Sequence, residues 1–186
     1  MVRPSLASAA AFLVACLLAA PLIVSPASRA AAQSTLNDLH KAEAVVEAVW
    51  RDLPLGFRRA LFIEPDTANG YGVFVARESN VFASGEALVV YAEPVGYGYR
   101  PIEGGRYTFG FDVDFLVKRP DGTILAGQEN FERLSLTSRE RVREFQITLK
   151  LTVRGLAPGS YEVVFRTRDI ASDKEATMTL PFEMVE

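Results

Sequence analysis

Three hydrophobic patterns succeed one another along the chain. Residues 9–24 are nearly continuous in apolar side chains, including Phe12, Leu13, Val14, Leu17, Leu18, Leu22 and Ile23, broken by Pro21. Between residues 34 and 53 the apolar positions recur every three or four residues, at Leu36, Leu39, Ala42, Val46, Val49, Trp50 and Leu53. Asp38, Lys41, Glu43, Glu47 and Arg51 fill the opposite side, so the pattern predicts one amphipathic helix over 34–53. Ser34 or Thr35 is its expected N-cap, and Pro54 is its expected stop. The apolar stripe is expected to pack on the domain that follows, because a helix this short is marginal alone.

Beyond Pro54 the period falls to two. Tyr107, Phe109, Phe111, Val113, Phe115 and Val117 alternate with Thr108, Gly110, Asp112, Asp114 and Lys118, the pattern of a strand with one buried face. Residues 145–153, 161–167 and 176–182 repeat it. Shorter strands are predicted at 60–63, 71–76 and 87–93, and one over 123–134 interrupted near Gly127. Pro120-Asp121-Gly122 and Ala157-Pro158-Gly159 supply tight-turn chemistry between them, and Asn69-Gly70 precedes Tyr71. About seven or eight strands without intervening helices predict an all-β fold, an antiparallel sandwich rather than a βαβ sheet.

The first segment reads as an address. Arg3 precedes the apolar run, no Asp or Glu occurs before Asp38, and Ser28-Arg29-Ala30-Ala31-Ala32 ends in an Ala-x-Ala step. This predicts a secretory signal peptide over 1–32, cut near Ala32, and a periplasmic or secreted mature chain. Leu13-Val14-Ala15-Cys16 also has the shape of a lipobox, which makes lipidation at Cys16 and an envelope-anchored chain the alternative. The apolar core continues past Cys16 to Val24, unlike an ordinary lipobox. The expected organisation is therefore signal peptide 1–32, helix 34–53 and sandwich 55–186, with no membrane span in the mature chain.

Composition then narrows the chemistry. The 186 residues carry 20 Lys+Arg, 23 Asp+Glu, one His, one Cys and one Trp. Removing residues 1–32 takes away Arg3 and Arg29 but no acid, moving the net charge from −3 to −5. That balance argues against nucleic-acid binding. The only Cys leaves with the signal peptide, so neither a disulfide nor a thiolate metal site is expected. His40 lies on the helix without a second His at i+4, and no Ser stands in a G-x-S-x-G setting. No cofactor is expected.

Some segments resemble known proteins. Residues 156–163, Thr167-Arg168-Asp169 and residues 176–182 resemble the closing strands of bacterial immunoglobulin-like domains, where a Pro-Gly-x-Tyr corner opens the penultimate strand. Residues 89–99, Gly127-Gln128-Glu129 and Arg143-Glu144-Phe145 are similar to uncharacterised exported proteins of alphaproteobacteria. The resemblance covers residues 55–184 and implies an immunoglobulin-like sandwich and export, but no activity.

Candidate sites are few. Asp112 and Asp114 lie two apart on one strand and are expected on its wet face; with Glu93 they are the acids an envelope-polymer-acting enzyme would use. Arg139, Arg141 and Arg143 alternate with Glu140 and Glu144; their planar donor forks suit a phosphate or glycan sulfate, but the interleaved glutamates nearly cancel the local field and solvated local ion pairs are the expectation. Arg166 and Arg168 read alike. The most unusual stretch is 91–101, with three tyrosines, two glycines and two prolines. It is either a structural corner over one end of the sandwich or a binding loop. As a loop, Tyr91, Glu93, Tyr97, Tyr99 and Arg100 are the candidate ligand-binding residues, because tyrosines give amphipathic contact area at low entropic cost. The expected function is that of a non-enzymatic exported module binding an envelope protein, peptide or glycan, its oligomeric state left open.

Overall fold

The computed structural model describes residues 26–186, with side chains from Gln33 onward. Cys16 and most of the expected signal peptide lie outside the described residues. One helix, α1 (Pro26–Asp52), is followed by nine strands. These are β1 (Gly56–Phe62), β2 (Val81–Ala83), β3 (Ala87–Val95), β4 (Arg100–Ile102), β5 (Arg106–Lys118), β6 (Ile124–Ser138), β7 (Ile147–Thr152), β8 (Gly159–Asp169) and β9 (Glu175–Val185).

The chain divides into two compact units at Ala42 and Glu43, within α1. In the first unit the described residues are helical, so Ser34 and Thr35 lie inside the helix and do not cap it. The alanines of 30–32 are strong helix formers and let the helix start earlier than the cap pattern suggested. The expected cleavage point near Ala32 falls within this helix.

The second unit holds the last turns of α1 and every strand. Its strands form two sheets, β1-β3-β7 and β2-β9-β8-β5-β4, with β6 on the other side of β5. The all-β class is as expected, with more strands than the seven or eight anticipated. β2 and β4 escaped the pattern because three residues are too few to display a period. The pairing of β2 with β9 is parallel, an exception to the otherwise antiparallel arrangement.

The core fills the space between the sheets. Phe109, Phe111, Val113, Phe115 and Val117 of β5 meet Ile147, Leu149 and Leu151 of β7 and Leu88, Val90 and Ala92 of β3, with β8 and β9 contributing Tyr161, Val163, Phe165, Leu180 and Phe182. The Tyr161 hydroxyl donates to Ala157 O at 2.7 Å, tying the start of β8 to the turn before it. The Pro120-Asp121-Gly122 turn closes the β5–β6 hairpin, Gly122 N donating to Arg119 O and Thr123 N to Asp121 Oδ1.

Two expectations are corrected here. Residues 71–76 make only isolated bridges, Ile63 with Ala76 and Gly70 with Val73, and fold across the outer face of β3. Phe74 packs on Tyr91 at 4.3 Å, and Gly72 N donates to the Tyr91 hydroxyl at 2.6 Å. That cover buries β3 on both faces, which accounts for its unbroken apolar run from Ala87 to Ala92. The helix stripe is the second correction. Val46 and Val49 stay exposed, and among the described helix residues only Trp50 packs against the core.

Candidate functional site

The site is built at one end of the sandwich, where β3 leaves its sheet. After Val95 the chain turns at Gly96, whose φ of +76° is in the left-handed region. A side chain there would press on the carbonyls of Leu53 and Pro54, just past the end of α1. Lys174, on the turn between β8 and β9, closes this junction. Its Nζ donates to Arg51 O at 2.8 Å, Leu53 O at 2.7 Å and Gly96 O at 2.7 Å, so one ammonium satisfies orphan carbonyls at the helix end and complements the helix dipole.

Tyr97 then turns into the core. Only 1% exposed, its ring lies edge-on to Phe111 at 5.5 Å and stacks near Phe109 at 5.9 Å. Trp50 meets it edge-on at 5.1 Å and donates its indole N–H to Tyr97 O at 2.9 Å. The hydroxyls of Tyr97 and Tyr99 both donate to Val142 O, at 2.7 and 2.5 Å. Burial pushes both phenols up, Tyr97 the further and Tyr99 to about 12; nearby Arg143 opposes the shift in each. Gly98 N donates to Asp169 Oδ2 at 2.6 Å, and the same oxygen accepts from Ser172 Oγ at 2.5 Å.

These groups leave a cleft of about 450 Å³. Glu47, Trp50 and Arg51 line it from the helix, Tyr97, Gly98 and Tyr99 from the corner, and Arg141 and Arg143 from the segment before β7. Ala171, Ser172 and Lys174 complete the wall. Arg141 is ion-paired with Glu47 and stands over the Tyr107 ring at 4.9 Å. The half-buried Arg143 has no carboxylate partner among the described residues. The expected local pairing with Glu140 and Glu144 is thus absent: Arg141 reaches across to the helix instead, and Arg143 faces the cleft.

The sequence-derived candidates separate into two places. Tyr97 and Tyr99 line the cleft, and exposed Arg100 sits just beyond it, donating to Ile170 O at 3.1 Å. Tyr91 and Glu93 leave the group, because alternation along β3 points them at the outer face. There the Tyr91 hydroxyl donates to Glu93 Oε1 at 3.1 Å, and Arg59 stands 3.7 Å from the same carboxylate. Burial raises the Tyr91 phenol as well.

The three carboxylates considered as an acid–base set do not converge. Asp112 and Asp114 lie on the outer face of the other sheet, across the core from Glu93. Asp114 is buried, not wet. It accepts from Asn130 N at 2.7 Å, at the bulge where β6 slips against β5, and pairs with Arg168. Asp112 pairs with Arg133 at 3.2 Å, and Arg166 with Glu175 at 2.6 Å. Among the described residues no group of three or more His, Cys, Asp or Glu side chains is placed to hold a metal ion, and no helix is long and apolar enough to cross a membrane.

Trp50, Ser172 and Lys174 were not read as site residues, and Arg143 was read as part of an ion-paired strand entry. Trp50 carried the one available signal, as the only tryptophan, in the last turn before a helix-stopping proline. Ser172 and Lys174 come from the β8–β9 turn, distant in sequence, which no spacing connects to the helix.

No family model and no curated protein matches the chain. Among solved structures it is similar to a Pseudomonas fluorescens alkylpurine DNA glycosylase bound to DNA containing an abasic site analog. The TM-score is 0.36 at 10% identity, over 72% of this chain and 31% of that one. It is also similar to the CARDB domain of a Pyrococcus furiosus protein in complex with di-metal ions. There the TM-score is 0.31 at 13% identity, over 73% of this chain and 96% of that one.

Proposed function

We propose that this chain is an exported, non-enzymatic module of the cell envelope that holds a protein, peptide or glycan in the cleft between Trp50, Tyr99 and Arg143. The observation that carries the reading is Arg143, a half-buried guanidinium with no carboxylate partner beside aromatic rings. A planar donor fork in such a setting suits a ligand oxyanion. Concave, partly apolar sites with a few convergent polar groups are the usual form of a ligand pocket. Export rests on the acid-free apolar segment and the Ala-x-Ala step at its end.

The test compares envelope extract captured by the immobilised mature chain with extract captured by Arg143→Gln and Tyr99→Ala variants. A ligand retained by the parent and lost from both variants supports the cleft. The same set retained by all three removes it. Intact-mass measurement of the exported chain addresses the address separately: a start near Gln33 supports simple cleavage, and an acylated start at Cys16 supports the anchored alternative.

A further inference from the structure

The chemistry lining the cleft narrows the ligand, given that the cleft is the binding site as proposed above. Several main-chain groups around it are already engaged. Val142 O takes two tyrosine hydroxyls, Tyr97 O takes the Trp50 indole, and Gly98 N is held by Asp169. Arg51 O, Leu53 O and Gly96 O all accept from Lys174. A peptide recognised by strand addition needs a row of free N–H and C=O groups, and at the corner and the helix end these groups are already taken by side chains. What it does offer is carried by side chains. Trp50 and Tyr99 present flat amphipathic rings. The Tyr99 and Ser172 hydroxyls each donate inward and keep lone pairs with which to accept. Arg143 supplies donors with no acceptor among the described residues.

The ligand that complements this set has ring faces, hydroxyl donors and one planar anion. We infer that the cleft binds a sugar ring bearing a carboxylate, a uronic-acid unit of an acidic glycan. The carboxylate sits on Arg143, ring hydroxyls donate to Tyr99 and Ser172, and the ring packs on Trp50. The Glu47 pairing occupies Arg141, and of the two cleft arginines with no carboxylate partner among the described residues, Arg51 is exposed and Arg143 half-buried, which makes Arg143 the anion-reading group. A space of about 450 Å³ is of a size for a small part of a chain, not for an extended polymer.

The experiment is calorimetric titration of the mature chain at low ionic strength with digalacturonate, its neutral methyl ester, and a short peptide ending in a free carboxylate. The expected result is binding of digalacturonate that weakens with salt. Arg143→Gln lowers that affinity about tenfold, the loss carried by one charge-assisted contact. Arg139→Gln, at an exposed position that does not line the cleft, leaves it unchanged. Equal affinity for the ester, equal or tighter binding of the peptide, or no binding of digalacturonate overturns the inference. If extract capture still depends on Arg143 when digalacturonate fails, the cleft survives and only the acidic-sugar assignment falls. If capture ignores Arg143, the cleft itself falls.

Discussion

Tyr97 and Tyr99 share one acceptor, Val142 O, yet they differ in what their rings do. Tyr97 is a core residue and Tyr99 a wall of the cleft. Tyr97→Phe keeps the packing and loses one hydrogen bond, an expected cost of about 1 kcal/mol in urea unfolding. Tyr97→Ala removes a buried ring, with an expected cost of about 3–5 kcal/mol. Tyr99→Ala is expected to cost clearly less than Tyr97→Ala in the same assay. The phenols also set an alkaline limit. In the folded chain Tyr99 holds its proton to about 12, against the ordinary value of 10.0. Above pH 10 the unfolded chain therefore binds fewer protons than the folded one, and stability falls. This contribution is complete below about pH 10 and is lost as the pH rises towards 12. Comparing the urea midpoint from pH 9 to 12 in the parent and in Tyr99→Phe checks it: the variant should show the shallower decline. At this scale the sequence was partly legible. It marked 91–101 as unusual through composition, but whether a tyrosine fills a core or lines a wall depends on partners such as Val142 and Trp50, far away in the chain.

At the scale of elements, the decisive junction is the end of α1. The helix has Arg51 in its last turn, yet the cation satisfying its terminal carbonyls is Lys174, more than 120 residues further on. Lys174→Met removes the three ammonium contacts and is expected to destabilise the chain by about 1–3 kcal/mol. Because the only tryptophan sits in the same turn, its emission should shift to the red as the helix end loosens. Unchanged emission and stability would show that Trp50 alone holds the helix. The long strands were readable because alternation over residues 107–117 or 145–153 fixes which face is buried. The bulge in β6 was visible only as an interruption near Gly127, whereas its cause is Asp114 holding Asn130 N from the neighbouring strand. Residues 71–76 were misread because Val73 and Val75 have strand-like composition, while the segment's role is to cover Tyr91.

Over the whole molecule, the expectation of a signal segment rests on charge and hydropathy, and the β class on period alone. Neither could assemble a site from the helix end, the turn after β3, the segment before β7 and the β8–β9 turn. That assembly belongs to topology, which brings these four places to one end of the second unit. The placement of Trp50 gives the cleft a built-in reporter. The most direct test of the account is the emission of Trp50 while a soluble acidic glycan fraction of the envelope is titrated into the mature chain. The account predicts a saturable change in emission that is absent in Arg143→Gln. Retention of the glycan with Trp50 emission unchanged, or an identical change in Arg143→Gln, would contradict it.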